Sequence, residues 1–130
     1  MSIAIISSLL LMQAAPADTA EPMLEDVQQE IVVIAERLKD WKGRLGKDDT
    51  GLSCETTKSS GDAQVDAIRC DAMIACFTPI EDAMDAAYAS DDAAPERRAR
   101  INALVETTVP CISDYERQAA IALAEERAGV

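Results

Sequence analysis

The chain has 130 residues and carries 24 acidic against 12 basic side chains and no histidine, for a net charge of −12. A field of that sign repels nucleic acid and anionic membrane surface, so neither is expected as a partner of the mature chain. Without His, no Ser-His-Asp or Cys-His triad can be assembled. One Trp, two Tyr and one Phe leave the core to Ala, Ile, Leu, Val and Met, a thin core for which covalent staples are a gain.

Residues Ile3 to Met12 form an apolar run too short to cross a bilayer as a helix, followed by Ala14-Ala15-Pro16-Ala17. Small residues three back and one back from a cut are supplied by Ala15 and Ala17. This outlines a signal peptide over residues 1–17, cleaved between Ala17 and Asp18. The outline departs from the usual one in having no Lys or Arg ahead of the apolar run; the alternative is a buried N-terminal helix, against which the abrupt polar turn after Ala17 argues. The expected location is the periplasm or the exterior, with residues 18–130 as a single small disulfide-bonded domain.

From Leu24 the apolar positions Leu24, Val27, Ile31, Ile34, Leu38, Trp41 and Leu45 alternate in spacings of three and four, a stripe on one helical face. The β-branched run Ile31-Val32-Val33-Ile34 would also suit a strand, so helix and strand both stand there; the stripe favours a helix from about Pro22 to Leu38. Trp41, Gly43 and Leu45 then alternate at period two up to Lys47-Asp48-Asp49-Thr50-Gly51, and Leu52, Cys54, Thr56 and Lys58 alternate after it, the pattern of a β-hairpin.

Ser59-Ser60-Gly61 ends the hairpin, and Asp62 starts a helix to about Phe77, with Val65, Ile68, Ala72 and Cys76 on one side and Cys70, Met73, Ile74 and Phe77 on the other. Thr78-Pro79-Ile80-Glu81 has the form of a capping box, predicting a helix to about Ala89. Ser90 to Ala94 is a loop. Pro95 opens a helix carrying Ile101, Leu104 and Val105, Pro110 kinks or breaks it, and a last helix runs from about Cys111 to Ala128 with Gly129 as its stop. The fold class is mainly α (α+β): four to five packed helices with one small β-hairpin, disulfide-stapled.

Cys54, Cys70, Cys76 and Cys111 are an even set in a chain expected to be exported, hence a disulfide framework. No pair has the spacing of two to four that structural zinc prefers, and no metal or cofactor is expected. Bridging Cys70 to Cys76 is excluded if both lie in one helix, since six residues rise ~9 Å and a disulfide tolerates about 7 Å between Cα atoms. With the strand folded back on the helix, Cys54 lies ~13 Å below the turn and Cys70 ~12 Å, which favours Cys54 with Cys70 and Cys76 with Cys111. Direction favours the other pairing, because Cys76 shares a face with Val65 and Ile68.

Two stretches have local resemblances to the TonB system. Gly51, Lys58, Ser59, Ser60, Gly61, Val65, Asp66 and Ile68 are spaced as in the strand, SSG turn and helix of TonB-type C-terminal domains, with which the chain is similar over about 20 to 30 residues. It departs from them in a strand about two residues shorter, in the extra cysteines and in lacking a third strand after the helix. The resemblance implies a hairpin-then-helix unit. Glu30-Ile31-Val32-Val33-Ile34-Ala35 is similar to the TonB box of outer-membrane receptors, with Ile34 where Thr is usual; the box implies an extended, exposed segment that adds a strand to TonB. The overall layout resembles that of small exported proteins of alphaproteobacteria, which brings no activity with it.

Candidate carboxylate pairs for acid–base work, Asp48-Asp49 and Asp91-Asp92, fall in loops, where such residues make turns and caps. The Asp48 loop fails the EF-hand pattern, and Cys70 to Cys76 is not a Cys-x-x-Cys redox motif. The expectation is a non-enzymatic periplasmic binding or structural protein, with a protein partner or self-association through Ile31, Val32, Val33, Ile34, Leu38 and Trp41. The alternatives are a TonB-system adaptor and a small hydrolase using a carboxylate pair.

Overall fold

The computed structural model describes residues 21–130; the signal-peptide reading, with its cut before Asp18, lies outside them. The stripe-bearing segment is helix α1, Glu21–Asp40, and the β-branched run lies inside it. Burial decides the ambiguity: as a helix the segment places Ile34 and Leu38 together in the core, with Val27 and Ile31 packed beside them. Strands β1 (Lys42–Asp48) and β2 (Gly51–Lys58) form the expected antiparallel hairpin, pairing Leu45 with Cys54 and Asp48 with Gly51. Thr57 is the extra residue of a bulge next to Lys42. At the tip the Asp48 carboxylate accepts from the Thr50 backbone N–H at 2.8 Å and from its hydroxyl at 2.6 Å, while Gly51 takes a positive φ of 123°.

Helix α2 spans Ala63–Phe77, with Asp62 as N-cap accepting from the N–H groups of Gln64 and Val65. The capping box expected at Thr78 does not form. The Thr78 hydroxyl turns back and donates to the Ile74 carbonyl at 2.6 Å, and residues Thr78–Ile80 make one 3-10 turn that runs straight into helix α3, Glu81–Tyr88. Helix α4 spans Ala94–Thr107 and helix α5 Val109–Ala128. Pro110, in the first turn of α5, has no N–H to offer the preceding turn, and the chain breaks at Thr108. The hydroxyls of Thr107 and Thr108 donate to the Leu104 and Val105 carbonyls, both at 2.6 Å, supplying donors where the ladder is interrupted. Gly129, at φ 75°, ends α5 as expected.

Ile34 and Leu38 from α1, Val65 and Ile68 from α2, and Ala120, Leu123 and Ala124 from α5 form the core. Ile34 and Val65 are fully buried, and burying a side chain of that size contributes about 1.5 to 3 kcal/mol. The α2 face that carries Val65 and Ile68 therefore meets α1 and α5, which leaves the Cys70 flank for the hairpin. Cys54 bridges Cys70 with Cα atoms 5.5 Å apart, and Cys76 bridges Cys111 at 5.8 Å. The pairing favoured by height is the one that forms, because the competing argument from direction assigned the wrong neighbour to that face.

The segment between Cys76 and Cys111 forms a lobe with almost no core of its own. Ala87 is the buried residue of α3, and α4 has none: Ile101 and Leu104 are half-covered and Val105 is exposed.

Candidate functional site

The structure divides the residues expected to form an interaction surface. Ile34, Leu38 and Trp41 are covered within the chain and Ile31 is half-covered, so these four belong to the packing of the fold. Val32 is 61% and Val33 40% exposed, but they point to different sides of α1, Val32 among Glu25, Gln28, Glu36 and Lys39, Val33 among Asp26, Gln29 and Asp40. Two isolated valines among charges do not make a contiguous patch. The extended conformation that the box resemblance implies for Ile31 to Ile34 is replaced by helix.

The hairpin-then-helix unit implied by the other resemblance is present, and its turn is held by Asp66. This carboxylate accepts from the Ser59 hydroxyl at 2.5 Å, the Ser60 hydroxyl at 2.7 Å and the Ser60 backbone N–H at 2.9 Å, while Gly61 takes φ 89°. Burial opposes the charged form of Asp66, yet these donors outweigh it and hold the carboxyl below the usual range. Asp62 beside it is likewise penalised by burial and still held low, by Arg127 at 2.7 Å and the two α2 N–H groups. Arg127 also reaches Glu30 at 3.5 Å, and Arg37 reaches Asp62 at 3.6 Å, so this network ties α1, α2 and α5 at one end.

Of the carboxylate pairs, Asp48 is committed to its own turn, where the Thr50 hydroxyl and N–H hold it below the usual range, and Asp49 is exposed. Asp92 pairs with Arg100 at 2.5 Å, and Asp91 is exposed. Among the described residues no group of three or more Cys, Asp or Glu side chains is placed to hold a metal ion, and no helix is long and apolar enough to cross a membrane.

What the structure brings together, and pattern reading did not, is a cleft of about 470 Å³ between the tip of the hairpin and the lobe. Leu45 and Leu52 line it from the two strands, Phe77, Met84 and Tyr88 from the end of α2 and from α3, and Val105 from α4. Its polar edge is Lys47, whose ammonium lies 3.0 Å from Glu81 Oε1 and 2.5 Å from Asp85 Oδ2. These hydrogen bonds, to Asp85 first and Glu81 second, raise the Lys47 pKa well above its ordinary value. They also brace β1 against α3 across the mouth. The one sequence signal for this site is the spacing of Glu81, Met84, Asp85 and Tyr88, which puts two carboxylates and two large apolar groups on one side of α3.

On the same face, at the end of the hairpin away from its tip, the Trp41 ring lies over Gly43, where a Cβ would come within 2.2 Å of it. Its indole N–H donates to the Thr56 hydroxyl at 2.9 Å. The Arg69 guanidinium stands 5.6 Å from the ring centroid and pairs with Glu116 on α5, joining hairpin, α2 and α5. Two further hollows, of about 530 and 370 Å³, flank Arg69; both are more open to solvent than the cleft, and the Arg69 cation is already engaged by ring and carboxylate.

Comparison with known proteins finds no match: no protein-family model, no curated protein and no solved structure matches the chain.

Proposed function

We propose that the chain is an exported, non-enzymatic binding protein whose ligand site is the cleft between the hairpin tip and α3–α4. The observation that carries this reading is the cleft itself: apolar walls drawn from both strands, the end of α2, α3 and α4, with Lys47 clamped by two carboxylates at its edge. A volume of about 470 Å³ falls in the range of sites for small molecules, and such sites combine mostly apolar walls with a few placed polar groups. Export is supported by the signal-peptide outline and by two disulfides, which persist in oxidising compartments.

The test uses a neutral apolar fluorophore, N-phenyl-1-naphthylamine, added to the disulfide-intact protein. Saturable emission enhancement with one site per chain is expected. Met84→Trp, which narrows the cleft, should weaken it, and Val32→Trp on the solvent face of α1 should not. Absence of saturable binding, or equal binding by the two variants, would overturn the reading.

A further inference from the structure

We infer that the cleft selects a small molecule with an apolar body and a cationic head, an alkyl- or arylammonium or guanidinium; this rests on the assignment of the cleft as the ligand site. The charge of its edge carries the argument. Helix α3 contributes three carboxylates, Glu81, Asp82 and Asp85, and no basic residue. Two of them line the cleft and meet a single ammonium, Lys47, so the edge has a net charge of −1. Lys47 engages Glu81 through Oε1 and Asp85 through Oδ2. Each carboxylate has a second oxygen with free acceptor sites for another donor.

An anionic head would meet two carboxylates, a lysine whose charge is already neutralised, and the field of a chain at −12. A cation meets the reverse of all three. Tyr88, 63% exposed at the mouth, adds a ring face on which an ammonium or guanidinium can rest. Leu45, Leu52, Phe77, Met84 and Val105 receive the apolar body. Lys47 repels an incoming cation, but its side chain is about half-exposed and can swing outward, handing its two acceptors to the ligand.

The experiment displaces bound N-phenyl-1-naphthylamine with three molecules of one chain length: decylamine, decanol and decanoate at pH 7 and low salt. Decylamine is expected to compete at least tenfold more strongly than decanol, decanoate most weakly, and the spread should shrink in 0.5 M salt. Glu81→Gln with Asp85→Asn leaves Lys47 as the one charge of the edge, so decylamine should drop below decanol and decanoate should gain on both, and Lys47→Met should strengthen decylamine further. Equal competition by all three, or a preference that survives the double variant, would overturn this inference and leave the cleft assignment standing. Failure of the fluorophore to bind at all would overturn both.

Discussion

Replacing Cys76 and Cys111 by alanine should release the α3–α4 lobe before the rest of the molecule. The bridge spans a sequence separation of 35, so its loss returns roughly 3 to 4 kcal/mol of loop-closure entropy to the unfolded chain. The Cys54–Cys70 bridge spans 16, and its loss costs about 3 kcal/mol. The two differ less in size than in place. Between Cys76 and the break at Thr108, Ala87 is the buried apolar residue, so the lobe has little of its own to oppose opening. Apart from the bridge it is held across the cleft by the Lys47 ion pairs, whose side chains are partly exposed and weakened by salt. Urea denaturation should show a loss of roughly 3 to 4 kcal/mol for the Cys76→Ala, Cys111→Ala variant. Amide hydrogen exchange should show protection lost first across Glu81–Tyr88 and Ala94–Thr107, with α1, α2 and α5 still protected. The Cys54→Ala, Cys70→Ala variant should lose stability without that selective exchange. If removal of Cys76–Cys111 costs under about 1 kcal/mol, or the lobe keeps the protection of the core, the reasoning fails.

Gly43→Ala puts a Cβ against the Trp41 ring and within 2.7 Å of the Glu55 carbonyl oxygen, so about 1 to 3 kcal/mol should be lost. Emission from the chain's one Trp should shift to the red, and an unchanged spectrum would count against the packing described. Ile34→Ala should cost about 2 to 5 kcal/mol, whereas Val32→Ala should stay within about 0.5 kcal/mol; similar losses at both would mean that α1 is not buried on the face described. Asp48, Asp62 and Asp66 titrate below their unfolded values, so the stability they contribute is fully present above about pH 4 and disappears as pH falls through their native values. Urea midpoints measured between pH 6 and pH 2 should fall less steeply for Asp62→Asn than for the unaltered chain, and parallel curves would refute the role given to Asp62.

The fold was legible where one local rule governed. The stripe of spacings three and four marked α1, the period-two runs around Asp48 to Gly51 marked the hairpin, and Pro110 and Gly129 marked a break and a stop. Legibility ended where tertiary contact decided between local options. Thr78 through Glu81 matches a capping box letter for letter, yet α2 passes through a 3-10 turn into α3, and the Thr78 hydroxyl serves the helix behind it. Val32 and Val33 share the β-branched character of Ile31 and Ile34, but the 3.6-residue turn sends them outward, a distinction that composition does not carry. The cleft was out of reach for a related reason. Leu45, Leu52, Phe77, Met84 and Val105 lie on five elements and are joined by the way the lobe folds back on the hairpin, which no spacing in the chain encodes.

The claim that the cleft is a preformed ligand site is tested most directly by a methyl and amide NMR titration of the disulfide-intact chain with N-phenyl-1-naphthylamine. Chemical-shift changes should be confined to Leu45, Leu52, Met84, Tyr88 and Val105 and their neighbours, saturating together with one dissociation constant. Changes centred on Ile31 to Ile34, or spread evenly over the surface without saturation, would contradict it.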